Sequence, residues 1–161
     1  VRRAGDFTTK LFSELKEGSM FYIRYPFGDL TLSDPGDKVF IAAGAGISVF
    51  LSYIDYYIKK ELSEEVLIFH STRNTKELID NILDYQIPER MKVFSFVTRE
   101  KSFLFPNRRM TINDILSQVV TGKNYKYYIC GDETFVRKYY DELKNCGVGA
   151  VYTESWNKTL Q

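Results

Sequence analysis

Arg73, Arg99, Cys130 and Glu154 each fall at or just beyond the end of a short apolar run. These are the residue types that grip phosphate, offer a thiol and orient a polar ring. The first such run, "KVFIAA" (38–43), is followed instead by Gly44-Ala45-Gly46 and then by an amphipathic segment. Glycines between a strand and a helix let the backbone approach a pyrophosphate, whose charge is stabilised by free N–H groups at the helix start. A full glycine-rich fingerprint would need a third glycine where Val49 stands. A plain strand-to-helix turn therefore accounts for this stretch equally well.

The end of the second run is more specific. A carboxylate there would accept hydrogen bonds from a ribose 2′-hydroxyl, whereas a guanidinium suits a 2′-phosphate. The stretch "HSTRNT" (70–75) has no carboxylate and offers Ser71, Thr72 and Arg73. The third run closes with Thr98-Arg99-Glu100, and Arg108 and Arg109 follow. Solvated loop charge is the ordinary fate of an arginine, but several gathered at one edge favour a bound phosphate. Cys130 precedes Gly131 at the end of the fourth run. A strand cysteine is usually a small buried hydrophobe, and at a strand terminus it could instead face a ligand crevice. Trp156, the only tryptophan, is equally open between core packing and covering a flat ring.

The elements that must position these residues alternate. Strands are predicted at 38–43, 65–70, 92–98, 126–130 and 149–153. Helical periodicity fills 47–60, 75–85, 111–121 and 133–145. Such βα units predict an α/β domain, with a five-stranded parallel sheet and helices on both faces, over residues 37–161. Residues 1–36 differ. "DFTTKLFSEL" predicts a short helix, "SMFYIRY" a strand, and a loop holds Pro26, Gly28, Pro35 and Gly36. One helix and one strand do not make a domain, so this segment reads as the end of a larger unit resting on the α/β part.

Composition narrows the classes. Twenty-two basic and 21 acidic side chains leave a net charge of +1, which argues against bulk nucleic-acid binding. No apolar run approaches the roughly 20 residues of a membrane span. Two cysteines without a CxxC, and the single His70, point away from a metal site and toward a reducing cytoplasm. The chain starts at Val1, which leaves open whether it is a piece of something longer.

Taken in order, "GAGIS" (44–48), "HSTR" (70–73), "TRE" (98–100), "NRRMT" (107–111), "YYICG" (127–131) and "ESW" (154–156) resemble the ferredoxin–NADP reductase superfamily, particularly microbial FAD-linked electron-transfer subunits. Departures are Ala43 for Gly, Ala45 for Thr, Val49 for Pro, Tyr25 for Gly, and "DETF" after Cys-Gly. The resemblance implies hydride transfer from NADPH or NADH to FAD, and onward electron transfer to an acceptor such as ferredoxin. It implies that Gly44, Ala45, Gly46 and Ile47 hold the dinucleotide pyrophosphate. It implies that Ser71, Arg73, Thr98, Arg99 and Arg109 read the 2′-phosphate, with Gly131 and Asp132 also at the nucleotide. Cys130 is then expected beside the nicotinamide and Glu154 as its orienting partner. Residues 1–36 resemble the end of an FAD-binding barrel, with Thr8 and Thr9 at the FAD pyrophosphate and Trp156 stacking on the flavin. The Arg-x-Tyr-Ser/Thr motif that grips the flavin in that family is absent from this chain. Two alternatives are an electron-transfer subunit of a larger dehydrogenase complex and a non-catalytic nucleotide-binding or interaction domain.

Overall fold

The computed structural model describes residues 5–22, 30–79 and 87–156. Among them, five parallel strands form one sheet: β1 (Lys38–Ala43), β2 (Val66–Thr72), β3 (Met91–Val97), β4 (Lys126–Asp132) and β5 (Val151–Trp156). Their order is β3-β2-β1-β4-β5, so the chain builds outward from β1 and then returns to place β4 on its other side. The order reverses between β1 and β4. In open α/β sheets, ligands bind outside the carboxyl ends of the strands at such a point.

The central strands are apolar almost throughout because both faces are covered. Val39, Ile41, Leu67, Phe69, Tyr127 and Ile129 face one core layer, closed by Ile115 of α3 (Ile112–Leu116) and by Val136, Tyr139 and Leu143 of α4 (Glu133–Asn145). Phe40, Ala42, Val66, Ile68, Tyr128 and Cys130 face the other, closed by α2 (Ile47–Lys59) through Ile47, Phe50, Tyr53, Ile54 and Tyr57. That spacing on α2 is the apolar stripe of an amphipathic helix. Phe40 and Phe50 stack with ring centroids 4.3 Å apart, joining α2 to the central strand. The sheet and its two covered faces are those predicted.

Two predicted helices differ. Over 75–85, the described part is a single 3-10 turn at Thr75–Glu77, ended by Leu78 in extended backbone at ψ 147. Residues 80–85 of that helix lie outside the described residues. Here the first turn is held by side chains, since Asn74 Nδ2 donates to Glu77 and the Thr75 N–H is taken by Glu100. The helix expected over 111–121 stops at Leu116, and Ser117 donates to the Asp114 carbonyl. The β-branched Val119-Val120-Thr121 run beyond it favours helix poorly.

α1 (Asp6–Glu14) forms as expected and buries none of its residues, with Phe7 and Phe12 exposed. Ser19–Tyr22, the described half of the strand expected at 19–25, joins no sheet, and residues 23–25 lie outside the described residues. Among the described residues no helix is long and apolar enough to cross a membrane.

Candidate functional site

The turn after β1 stands at the sheet's reversal point. Gly44 has φ +50, a backbone conformation that disfavours a side chain, and a Cβ built there would meet nothing within 4 Å. Gly46 has the opposite reason. A Cβ on it would overlap the backbone carbonyl of Cys130, so α2 begins in direct contact with β4. Gly46 thus supplies the close helix–strand approach for which the fingerprint reserves its third glycine. No side chain caps the Gly44–Gly46 turn or α2, and the Ile47 N–H is already taken by the Gly44 and Ala45 carbonyls, so an anion would meet the N–H groups of the turn rather than that of Ile47. Ala45 is exposed, and Ile47 begins the helix with its side chain buried. This open, uncapped turn fits a dinucleotide pyrophosphate.

His70, fully buried, supports the turn from β2. Its Nε2 donates to the Gly44 carbonyl at 3.0 Å, which fixes the proton on that nitrogen because a carbonyl only accepts. Its position under the turn follows from the register, which sets Ala42 beside His70 and Ala43 beside Ser71. Sequence reading used His70 only to argue against a metal site and as the first residue of the "HSTR" stretch, with no role of its own. The pairing of β1 with β2 is the signal that locates it.

The ends of β2 and β3 are tied together. Both the N–H and the hydroxyl of Thr98 donate to the Thr72 carbonyl at 2.9 Å, and the Arg99 N–H donates to the Arg73 carbonyl at 3.0 Å. Thr98 is therefore a strap between strands, while Arg73 and Arg99 are exposed side by side in the backbone ladder. Ser71 is half-buried beside them. Arg108 is already committed: it makes a two-pronged contact with Asp114 at 2.7 and 2.6 Å, and its guanidinium lies 5.4 Å from the Phe96 ring centre. That guanidinium holds the Asp114 carboxyl below its usual range. Arg109 is exposed and has no ion pair among the described residues; the same is true of Arg73 and Arg99.

On β4, Cys130 is fully buried against α2, and burial pushes its thiol up to about 12, with the Glu154 charge adding to the shift. It stays a neutral thiol at any physiological pH. Glu154 of β5 lies beside it in register and is half-buried. Gly131 is buried with its bare Cα against Phe135 and Ala43, and the exposed Asp132 caps α4 by accepting from the Phe135 N–H at 2.9 Å. Trp156 ends β5 opposite Asp132; the stacking expected of its ring lies outside the described side chains. Thr8 and Thr9 occupy the first turn of α1, where the Thr8 hydroxyl and the Thr9 N–H both donate to the Gly5 carbonyl.

Residues 40–141 match the oxidoreductase NAD-binding domain family. This chain belongs to that family. The motifs in the nucleotide-binding part are accordingly those of the ferredoxin–NADP reductase superfamily. A flavohemoprotein of Bacillus subtilis is 26% identical over 148 residues, covering 84% of this chain and 36% of that protein. A Pyrococcus abyssi protein named "Probable dihydroorotate dehydrogenase B (NAD(+)), electron transfer subunit" is 36% identical over 88 residues, covering 52% of this chain and 34% of that protein. The chain thus spans about a third of each of these curated relatives. The fold also matches the crystal structure of a Malassezia yamatoensis flavohemoglobin, with TM-score 0.74 and 22% identity, over 98% of this chain and 42% of that one.

As an NAD-binding domain of oxidoreductases, the chain gathers the Gly44 turn, Arg73, Arg99 and Glu154 at the carboxyl edge of one sheet. Sequence reading missed Glu100, which reaches from beyond β3 to accept from the Thr75 N–H at 2.7 Å and from the Thr75 hydroxyl at 3.0 Å. The "TRE" segment was in view, but its carboxylate acts at a neighbouring strand end, 25 residues earlier in the chain.

Proposed function

We propose that this chain is the NAD(P)H-binding part of a flavin-dependent oxidoreductase that passes hydride from NAD(P)H to FAD and electrons on to an acceptor. The observation that carries the proposal is the uncapped Gly44–Gly46 turn, set at the β1/β4 reversal and braced by His70 and by the Cys130 carbonyl. The cofactor pair would supply the redox chemistry, a hydride moving between nicotinamide and flavin rings.

The chain's own residues bind and orient. N–H groups of the Gly44–Gly46 turn hold the pyrophosphate. Arg73, Arg99 and Arg109 attract charge at the adenosine end. The neutral, buried Cys130 forms part of the floor toward the nicotinamide end rather than a nucleophile, and Glu154 orients the ring from β5. Gly131 and the capping Asp132 shape the wall between these ends. Residues 1–36 act as the end of an FAD-binding barrel, with Thr8 and Thr9 at the FAD pyrophosphate.

Titration of the purified protein with NADH and with NADPH is expected to show saturable binding of at least one. Binding of neither overturns the proposal. A yellow preparation that bleaches with NAD(P)H would identify the flavin-bearing form, and a colourless one that binds the nucleotide would identify a detached module. A second reading, an electron-transfer subunit serving a partner dehydrogenase, draws on the likeness to the Pyrococcus protein and its printed name. Co-purification of a dehydrogenase partner with the native protein would favour it.

A further inference from the structure

We propose that His70 is a positioning residue of the dinucleotide site, aiming the Ala45 N–H at the pyrophosphate by holding the Gly44 carbonyl. The inference rests on the dinucleotide reading above and adds the device that orients its phosphate donor. The Gly44 carbonyl accepts two hydrogen bonds. The Ile47 N–H reaches it from within the helix, and His70 Nε2 reaches it from β2 at 3.0 Å. A carbonyl oxygen has two lone pairs, so this acceptor is fully engaged. In a planar trans peptide the carbonyl and the following N–H point in opposite directions. A Gly44 carbonyl held along the helix therefore sends the Ala45 N–H the other way, out of the helix start. Ala45 is exposed and has no polar side chain, so its backbone N–H is what it offers an anion.

Gly44 explains why the second bond matters. At φ +50 it occupies the left-handed region, and glycine passes between that region and negative φ at little steric cost. Such freedom rotates the Gly44–Ala45 peptide plane and swings the Ala45 N–H away from the crevice. The Ile47 N–H is shared between the Gly44 and Ala45 carbonyls, so His70 makes the undivided bond. His70 is fully buried, and its backbone lies in register between Ala42 of β1 and Ser95 of β3. The imidazole thus ties a mobile peptide to an interior strand. A turn set before the nucleotide arrives loses less conformational freedom on binding.

The experiment compares tag-free wild type with His70→Gln, His70→Asn and His70→Leu. Each is titrated with NADH and with 5′-ADP at a temperature where it is folded. The Gln amide nitrogen lies at about the reach of Nε2, whereas the Asn amide ends near the place of Nδ1. Gln is expected to stay within about threefold of wild type, and Asn and Leu to lose about tenfold. A purely structural role would lower melting temperatures and leave the affinities of the folded proteins alike. Affinities unchanged within about twofold in Asn and Leu, or a loss in Gln equal to that in Asn, overturn the positioning role with dinucleotide binding intact. The wild type supplies a second measurement that needs no variant, because the sequence holds one histidine and its imidazole signals belong to His70. Nitrogen NMR of a labelled sample is expected to show Nε2 protonated, and 5′-ADP is expected to shift the Ala45 amide. An unprotonated Nε2, or an Ala45 amide unmoved by saturating 5′-ADP, overturns the role as well. Binding of neither NADH nor 5′-ADP by wild type overturns the dinucleotide reading, and this inference with it.

Discussion

The two edges of the sheet treat charge in opposite ways. At the amino edge, charges are buried or satisfied. Lys38, with a fully buried side chain, donates to the Gly36 carbonyl at 2.8 Å and to Glu64 at 3.3 Å, and Tyr53 donates to the same carboxylate at 2.8 Å. Glu65 receives Lys123 at 2.9 Å, Tyr125 at 2.6 Å and Lys92 at 3.3 Å. At the carboxyl edge, Arg73, Arg99 and Arg109 stand exposed without ion pairs among the described residues, around an uncapped helix start. One edge spends its polar groups on holding four strand starts together. The other leaves them for something that is not part of the chain.

The sharpest way to break that contrast is Glu64→Ala, which leaves the Lys38 ammonium buried without its carboxylate. Burial already pushes the Lys38 amine below its usual value, with Glu64 opposing the shift. A loss of about 3 kcal/mol in unfolding free energy is expected by denaturant titration, with NADH affinity of the folded protein unchanged. A large change in affinity at constant stability would erase the division between the edges. Gly46→Ala comes next, because its Cβ must displace either α2 or the β4 backbone. A cost of about 2 kcal/mol is expected, together with weaker binding of both nucleotides in the same titration.

Arg73→Ala should leave the melting temperature alone and weaken NADPH by about 1.5 kcal/mol, or roughly tenfold, more than NADH. Equal losses for the two nucleotides would remove Arg73 from the 2′ position. The amino edge also makes a prediction about pH. Lys123 and then Tyr125 hold the Glu65 carboxyl down to about 2, from an ordinary value of 4.5. The folded state then binds fewer protons than the unfolded one in that interval. Its contribution is complete above about pH 4.5 and is lost as pH falls toward 2. A stability profile flat from neutral pH to 4.5 and declining below it is expected, with a shallower acid decline in Glu65→Gln.

The strands were legible because β-branched and aromatic residues sit in short runs between turn residues, and because both sheet faces are covered. α2 and α4 were legible to within a residue or so, since their apolar spacing agrees with their boundaries. The segment at 75–77 was not, because its conformation is decided by Glu100, a partner from another strand that no local window contains. The site divides the same way. The glycine turn and the arginines announce themselves by type and place, whereas His70 and Glu100 act through register. The depth of Cys130 was also hidden, since a strand end can face solvent or a helix, and only the seat of α2 on β4 decides.

That seat also dictates an order of assembly. The turn at Gly44–Gly46 has one wall from β2, through His70, and the other from β4, whose Cys130 lies 84 positions further along the chain than Gly46. During synthesis, β1 and β2 can pair early, but the pyrophosphate turn stays half-walled until β4 has emerged and inserted beside β1. Contacts so distant in sequence close slowly, which makes this junction a late step in folding. A fragment ending before β4 would keep every residue of the glycine turn and still lack the surface on which its helix rests. Competence to bind a dinucleotide therefore arrives with the fourth strand, not with the motif that signals it.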